Sequence, residues 1–123
     1  MKIILKGPSM TLTDKQKNWI NNAPNFDEDM IKRLQNPEFE SGWIELALQE
    51  FLEEGNFNTF IRCLTYVVKA RGHGEISRLA QASSIDRGNL SEILSGKVTP
   101  RIDTALKLIR GLGYEYDIKL KTA

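Results

Sequence analysis

Cysteine is almost absent from this sequence: Cys63 stands alone among 123 residues. One thiol excludes an internal disulfide and any zinc site built on cysteine pairs. Its neighbours Ile61, Leu64 and Val67 predict a buried structural thiol rather than a nucleophile. Histidine is equally scarce. His73 lies between Gly72 and Gly74 with no cysteine, aspartate or second histidine nearby, so it reads as an exposed loop residue and not a metal ligand. No glycine-rich phosphate loop occurs, and no His/Asp/Glu cluster has ligand or triad spacing. The sequence therefore predicts no catalytic residue, no metal and no cofactor; a nuclease built only of carboxylates is the one enzyme it leaves room for. No apolar run approaches a membrane span, and the first residues lack the apolar stretch and cleavage site of a secretory leader. A cytoplasmic home is expected.

What is present is an ordinary globular composition, 41% hydrophobic and 27% charged, in a chain sized for one modest core. The net charge of +1 conceals a segregation. From Asp27 to Glu54 nine acidic residues stand against two basic ones, a net of −7; from Arg62 to Arg110 nine basic stand against four acidic, a net of +5. Solvated helix faces account for any single charge. The segregation predicts two different partners, one of them polyanionic.

Taken in order, Lys2–Lys6 reads as a short strand closed by Gly7-Pro8. Thr13 to Gln16 has the spacing of a capping box for a short helix to about Ile20, broken by Asn21–Asn25. A second short helix is expected over Asp27–Gln35, with acidic residues in its first turn. Asn36-Pro37 starts a longer one as cap and first residue, running to about Glu54 and stopping at Gly55. Its apolar stripe is Trp43, Ile44, Ala47, Leu48, Phe51 and Leu52, and its wet side Glu45, Gln49, Glu50, Glu53 and Glu54. Asn56 caps the next helix, Phe57–Arg71, which ends at Gly72. Thr99-Pro100 is expected to start the last helix, with Ile102, Ala105, Leu106, Leu108 and Ile109 as core face and Gly111 and Gly113 at its end. Tyr114–Lys121 alternates as a half-buried strand should. It could pair with the first strand, across a dimer, or with another protein's edge.

Ile76–Leu94 holds the most specific pattern. Ile76, Leu79 and Ala80 share one helical face, and Leu90, Ile93 and Leu94 share another. Between them Ser83-Ser84-Ile85-Asp86 is turn and N-cap material, with Ile85 as an apolar plug. That is a helix-turn-helix whose second helix suits a DNA major groove. Arg87 offers a bidentate fork to guanine, Asn89 can read adenine, and Ser91 and Glu92 lie one turn on, Glu92 able to accept from cytosine. Gly88 costs a helix about 1 kcal/mol relative to Ala, which suggests close approach of backbone to DNA. Ser77 and Arg78 open the first helix, where N–H groups favour a phosphate.

Ala80, Ile85, Leu90 and Ile93 resemble the core positions of the Xre/Cro-type helix-turn-helix, and Leu94–Arg101 resembles the loop that follows its recognition helix. Thr99–Thr104, Leu106–Ile109 and Gly111–Gly113 resemble more narrowly the HigA-like addiction module antidote proteins, over roughly Phe26 to Tyr114. One departure is Ser84, where the family usually has glycine; a positive φ there would cost about a kcal/mol and slightly remodel the turn.

The resemblance implies a mainly α fold, an Xre/Cro-type helical bundle with short terminal β-strands. Residues 1–56 would form an N-terminal strand and acidic helical region packed on the core, and 57–123 the DNA-binding domain with the C-terminal strand. It adds Lys97, Thr99 and Arg101 as phosphate contacts. The implied function is a type II antitoxin that binds a small basic RelE/HigB-like toxin and, as a homodimer on a palindromic DNA operator, represses its own operon. A stand-alone or phage-derived Xre-type repressor is the alternative. The fifty or so residues ahead of the helix-turn-helix argue against it, because a bare DNA-binding domain does not need them.

Overall fold

The computed structural model describes the backbone of residues 2–6 and 26–122 and the side chains of residues 27–122. The expected strand end at Gly7-Pro8, the capping box at Thr13–Gln16 and the break at Asn21–Asn25 lie outside the described residues. The described elements run β1 (Lys2–Lys6), α1 (Phe26–Arg33), α2 (Pro37–Glu54), α3 (Phe57–Arg71), α4 (Glu75–Ser83), α5 (Arg87–Leu94), α6 (Ile102–Gly111) and β2 (Glu115–Lys119). The fold is mainly helical, as the sequence predicts.

Helix ends follow their caps. The Asn36 side chain accepts from Glu38 N at 2.9 Å with Pro37 in the first turn, and Gly55 closes α2 in the left-handed region at φ 73°. Asn56 accepts from Thr59 N at 3.2 Å to open α3. The two-residue link forces α2 and α3 to pack together, burying Trp43, Ile44, Leu48 and Phe51 against Phe60, Leu64 and Val67. Each such side chain contributes about 1.5–3 kcal/mol by leaving water. Trp43 satisfies its indole N–H at the Cys63 carbonyl, 3.0 Å away, and the Phe51 ring sits 4.3 and 5.1 Å from those of Phe57 and Phe60. Burial pushes the Cys63 thiol up to about 12, with Glu50 adding to the rise, so it stays protonated and inert. Met30 and Leu34 of α1 complete this end of the core.

Leu79, Ala80, Leu90, Ile93, Ala105, Leu108 and Ile109 extend the same cluster through α4, α5 and α6. Asp86 caps α5 by accepting from Asn89 N at 3.1 Å. Ser84 itself takes the left-handed conformation, φ 57° and ψ 38°, so the backbone bears the cost that remodelling of the turn would have avoided.

Two expectations for α6 are corrected. It starts at Ile102 with Arg101 as an extended N-cap lacking a side-chain cap bond, not at Thr99-Pro100. Pro100 is buried one residue ahead of the cap, and the cap residue Arg101 is itself extended. Ile102 consequently lies outside the core at 52% exposure. Gly111 ends α6 as expected and has a packing role besides. A Cβ there would lie 2.8 Å from Leu79 Cδ1 and 3.1 Å from Ser83 Cβ, so the missing side chain lets α4 and α6 meet. Gly113 follows at φ 104°.

β1 and β2 pair antiparallel, Ile4 opposite Asp117 and Leu5 opposite Tyr116, which is one of the pairings the sequence left open. Along β2, Tyr116 and Ile118 are half-buried while Glu115, Asp117 and Lys119 are exposed.

Candidate nucleic-acid interface

The α4–α5 pair is positioned by a charged cluster beneath it. Glu40 of α2, 7% exposed, takes two bonds from Arg71 of α3, from Nε at 3.1 Å and Nη2 at 2.5 Å. The other Arg71 terminal nitrogen donates to Glu75 of α4 at 3.2 Å, and Nη2 also reaches the Leu112 carbonyl at 2.7 Å. Tyr114 donates its hydroxyl to Glu40 at 2.7 Å. Burial and that carboxylate raise the Tyr114 hydroxyl above its ordinary range. Burial works against the Arg71 charge, but Glu40 and Glu75 overcome it and hold the guanidinium above its ordinary value. The bond from Arg78, more than that from Arg71, holds the Glu75 carboxyl below the usual range against its own burial.

This cluster bears on two of the sequence expectations. Glu40 counts toward the acidic stretch but faces inward and is neutralised, so the acidic surface is smaller than the residue count implies. Arg78, expected on a phosphate, places Nε on Glu75 Oε2 at 2.7 Å and Nη2 on both Glu75 and the Gly111 carbonyl. A buried carboxylate three residues upstream draws it in, because such a charge is costly without a partner. Arg78 is tied to the framework through Nε and Nη2, while its side chain stays 48% exposed. With Arg71 it also sets positive charge against the C-terminal carbonyls of α6, where the helix dipole favours it.

The remaining candidates lie on α4, on α5 and in the loop after it, and all but one are exposed. Ser77, Arg87, Asn89 and Glu92 are exposed, and Ser91 is half-buried. Ser77 and Arg87 are brought together: Arg87 Nε donates to Ser77 Oγ at 2.8 Å across the two helices. Gly88 has a local reason to lack a side chain, since its Cβ would press within 3.2 Å of Asp86 Oδ2 and disturb the cap on Asn89. Lys97, Thr99 and Arg101 are exposed beyond α5, Arg101 making only a surface pair with Asp103 at 3.4 Å.

The sequence reading missed two cations beside that loop. Arg62 and Lys69 of α3 line a groove of about 380 Å³ together with Ser95–Gly96 and Val98–Pro100. Their seven-residue spacing puts both on one side of α3, a signal visible in the sequence once α3 is known to pass under the loop. Thr65, between them, brings its hydroxyl within hydrogen-bond reach of the Leu94 carbonyl at 3.1 Å as well as the Ile61 carbonyl of its own helix at 2.9 Å.

No helix among the described residues is long and apolar enough to cross a membrane. A Haemophilus influenzae protein described as uncharacterized is 29% identical to this chain over 76 residues, covering 62% of the chain and 75% of that protein. No solved structure matches. The sequence model of one family, described as probable addiction module antidote proteins, matches residues 26–120, and the chain belongs to that family.

Proposed function

We propose that this chain is the antitoxin of a type II toxin–antitoxin module, a cytoplasmic binding protein and not an enzyme. In this reading it neutralises a small basic RelE/HigB-like toxin by direct contact and represses its own operon. Membership of the antidote family over residues 26–120 is the observation that carries it. The exposed acidic residues Asp27, Glu28, Glu53 and Glu54 are the surface offered to a basic, RNA-handling toxin.

For the DNA-binding half, α4 and α5 act as a HigA-like, Xre/Cro-type helix-turn-helix. Support comes from the exposed Arg87, Asn89 and Glu92 on α5, with half-buried Ser91 behind them, and from Lys97, Thr99 and Arg101 in the adjacent loop. The first group reads base edges and the second holds phosphates. A homodimer on a palindromic operator completes the reading. Val98 and Ile102, 39% and 52% exposed, are the apolar side chains beside α5 that a second copy would cover.

The test is co-expression of the tagged chain with the short reading frame beside its gene. A stoichiometric complex that relieves growth arrest caused by that neighbour is expected. A neighbour without toxicity, or one that forms no complex, would overturn the antitoxin assignment and favour a stand-alone Xre-type repressor.

A further inference from the structure

Ser77 and Arg87 are ten residues apart, on different helices, and both side chains are exposed; yet Arg87 Nε donates to Ser77 Oγ at 2.8 Å. An arginine in that position has most of its rotamers open to it, and ordering so long a side chain carries an entropy cost. The bond selects one orientation before any partner arrives. It also selects which nitrogens stay available. With Nε committed, Nη1 and Nη2 have no partner among the described residues. A guanidinium reads guanine O6 and N7 through two parallel donors, so holding it at Nε leaves a donor pair on its outer edge.

The surroundings favour the same geometry. Gly88, next in sequence, puts no side chain beside the Arg87 stem, and Asp86 turns Oδ2 to the Asn89 N–H at 3.1 Å as the helix cap. Ser77 lies in the first turn of α4, whose N-cap Gly74 supplies no side-chain cap, and its hydroxyl makes no other bond among the described residues.

We infer that Ser77 is a positioning residue for base recognition: it holds Arg87 at Nε and so presents the two terminal nitrogens to one guanine, instead of binding a phosphate itself. This rests on the DNA-binding reading above. It differs from that reading in what Ser77 does and in which variants are coupled.

The test uses the full-length chain and duplexes selected by the wild type from a random 20-base-pair pool. Each base pair of the strongest site is then permuted, and binding is measured for the wild type, Ser77→Ala, Ser77→Thr, Arg87→Ala and the double Ala variant. Ser77→Ala is expected to lower discrimination about five- to tenfold at the one G·C pair that Arg87→Ala also flattens. It should leave other positions and the salt dependence unchanged. Ser77→Thr, which keeps the hydroxyl, should restore the preference, and the double variant should be no worse than Arg87→Ala alone. A uniform loss on every duplex, additive with Arg87→Ala, would make Ser77 a backbone contact and overturn the inference. So would an unchanged Ser77→Ala. If the wild type selects no sequence at all, the DNA-binding reading falls and takes this inference with it; sensitivity to Arg87 without sensitivity to Ser77 sinks the inference alone.

Discussion

Arg71 and Glu40 form a two-pronged ion pair, Nε to Oε2 and Nη2 to Oε1, between one helix of the acidic segment and one of the basic half. Glu40 comes from the acidic segment and Arg71 from the basic half, and the pair lies largely out of water. The contact is a structural seam between the two. Removing one partner leaves a charge with little solvent. Arg71→Met is expected to destabilise the chain by about 2–3 kcal/mol, toward the low end for such pairs because Arg71 is partly wet. Adding Glu40→Gln to it should recover part of the loss. Urea midpoints for the two variants check this; equal midpoints for wild type and Arg71→Met would show that the pair carries no stability.

The same cluster sets an acid limit. Glu75 is held below its ordinary value by Arg78, with Arg71 adding to the effect against burial. A carboxyl depressed on folding contributes stability that is complete above its unfolded value and is lost as pH falls through its folded one. Unfolding free energy should therefore decline as the pH drops below about 4.5. A Glu75→Gln variant, less stable at neutral pH, should show a shallower decline over the same window. Parallel pH profiles for the two proteins would place the acid sensitivity elsewhere.

Ser84 offers a gain. Its left-handed backbone, φ 57° and ψ 38°, is a conformation that glycine adopts freely and a Cβ resists. The side chain is exposed, and no side-chain bond ties it down. Relief of about 1–2 kcal/mol of strain is offset by the larger unfolded-state freedom of glycine, roughly 0.4–1 kcal/mol. Ser84→Gly is expected to stabilise by about 0.5–1 kcal/mol and raise the melting temperature by a few degrees. A lower melting temperature would mean that the turn prefers serine for a reason outside the backbone.

Gly111 should behave in the opposite sense. Alanine is the better helix former by about 1 kcal/mol, but its methyl would meet Leu79 Cδ1 at 2.8 Å and the Ser83 Cβ at 3.1 Å. Leu79 is fully buried and has little room to retreat. Overpacking of this kind costs about 1–3 kcal/mol, so Gly111→Ala is expected to be destabilising by about 1 kcal/mol after the helix gain. A stabilised variant would show that α4 and α6 separate easily.

These residues also mark how far the sequence could be read. Asn36, Gly55, Asn56, Gly72 and Asp86 act within three or four residues of themselves, and local chemistry was enough to place α2, α3 and the start of α5. Ser84 was legible too, because a resemblance flagged the one position where glycine is usual. What escaped was non-local. Gly111 reads only as a helix terminator until α4 is laid against it. Pro100 reads as a first helical residue until its burial one step before the cap is seen. Arg78 looks like a free cation at a helix start, and only the burial of Glu75 explains why its guanidinium pairs with that carboxylate. The Ser77–Arg87 bond depends on the angle between two helices, which no spacing rule gives.

If α5 reads bases and its loop holds phosphates, as proposed, salt separates the two roles. Lys97 and Arg101 are exposed, and the pair of Arg101 with Asp103 is a surface contact that a phosphate can displace. Each phosphate neutralised releases counterions, so losing one such contact should reduce the slope of log affinity against log salt by about 1 and weaken all duplexes alike. Lys97→Ala and Arg101→Ala are expected to behave in this way. Arg87→Ala should instead keep most of its affinity for unselected DNA while discrimination at one G·C pair drops by about 1–3 kcal/mol. Titrations of the three variants at several salt concentrations, on the selected duplex and on an unselected one, distinguish the roles. Uniform loss from Arg87→Ala with an altered slope would make it one more phosphate contact, and base reading would then pass to Asn89 and Glu92 on the same helix.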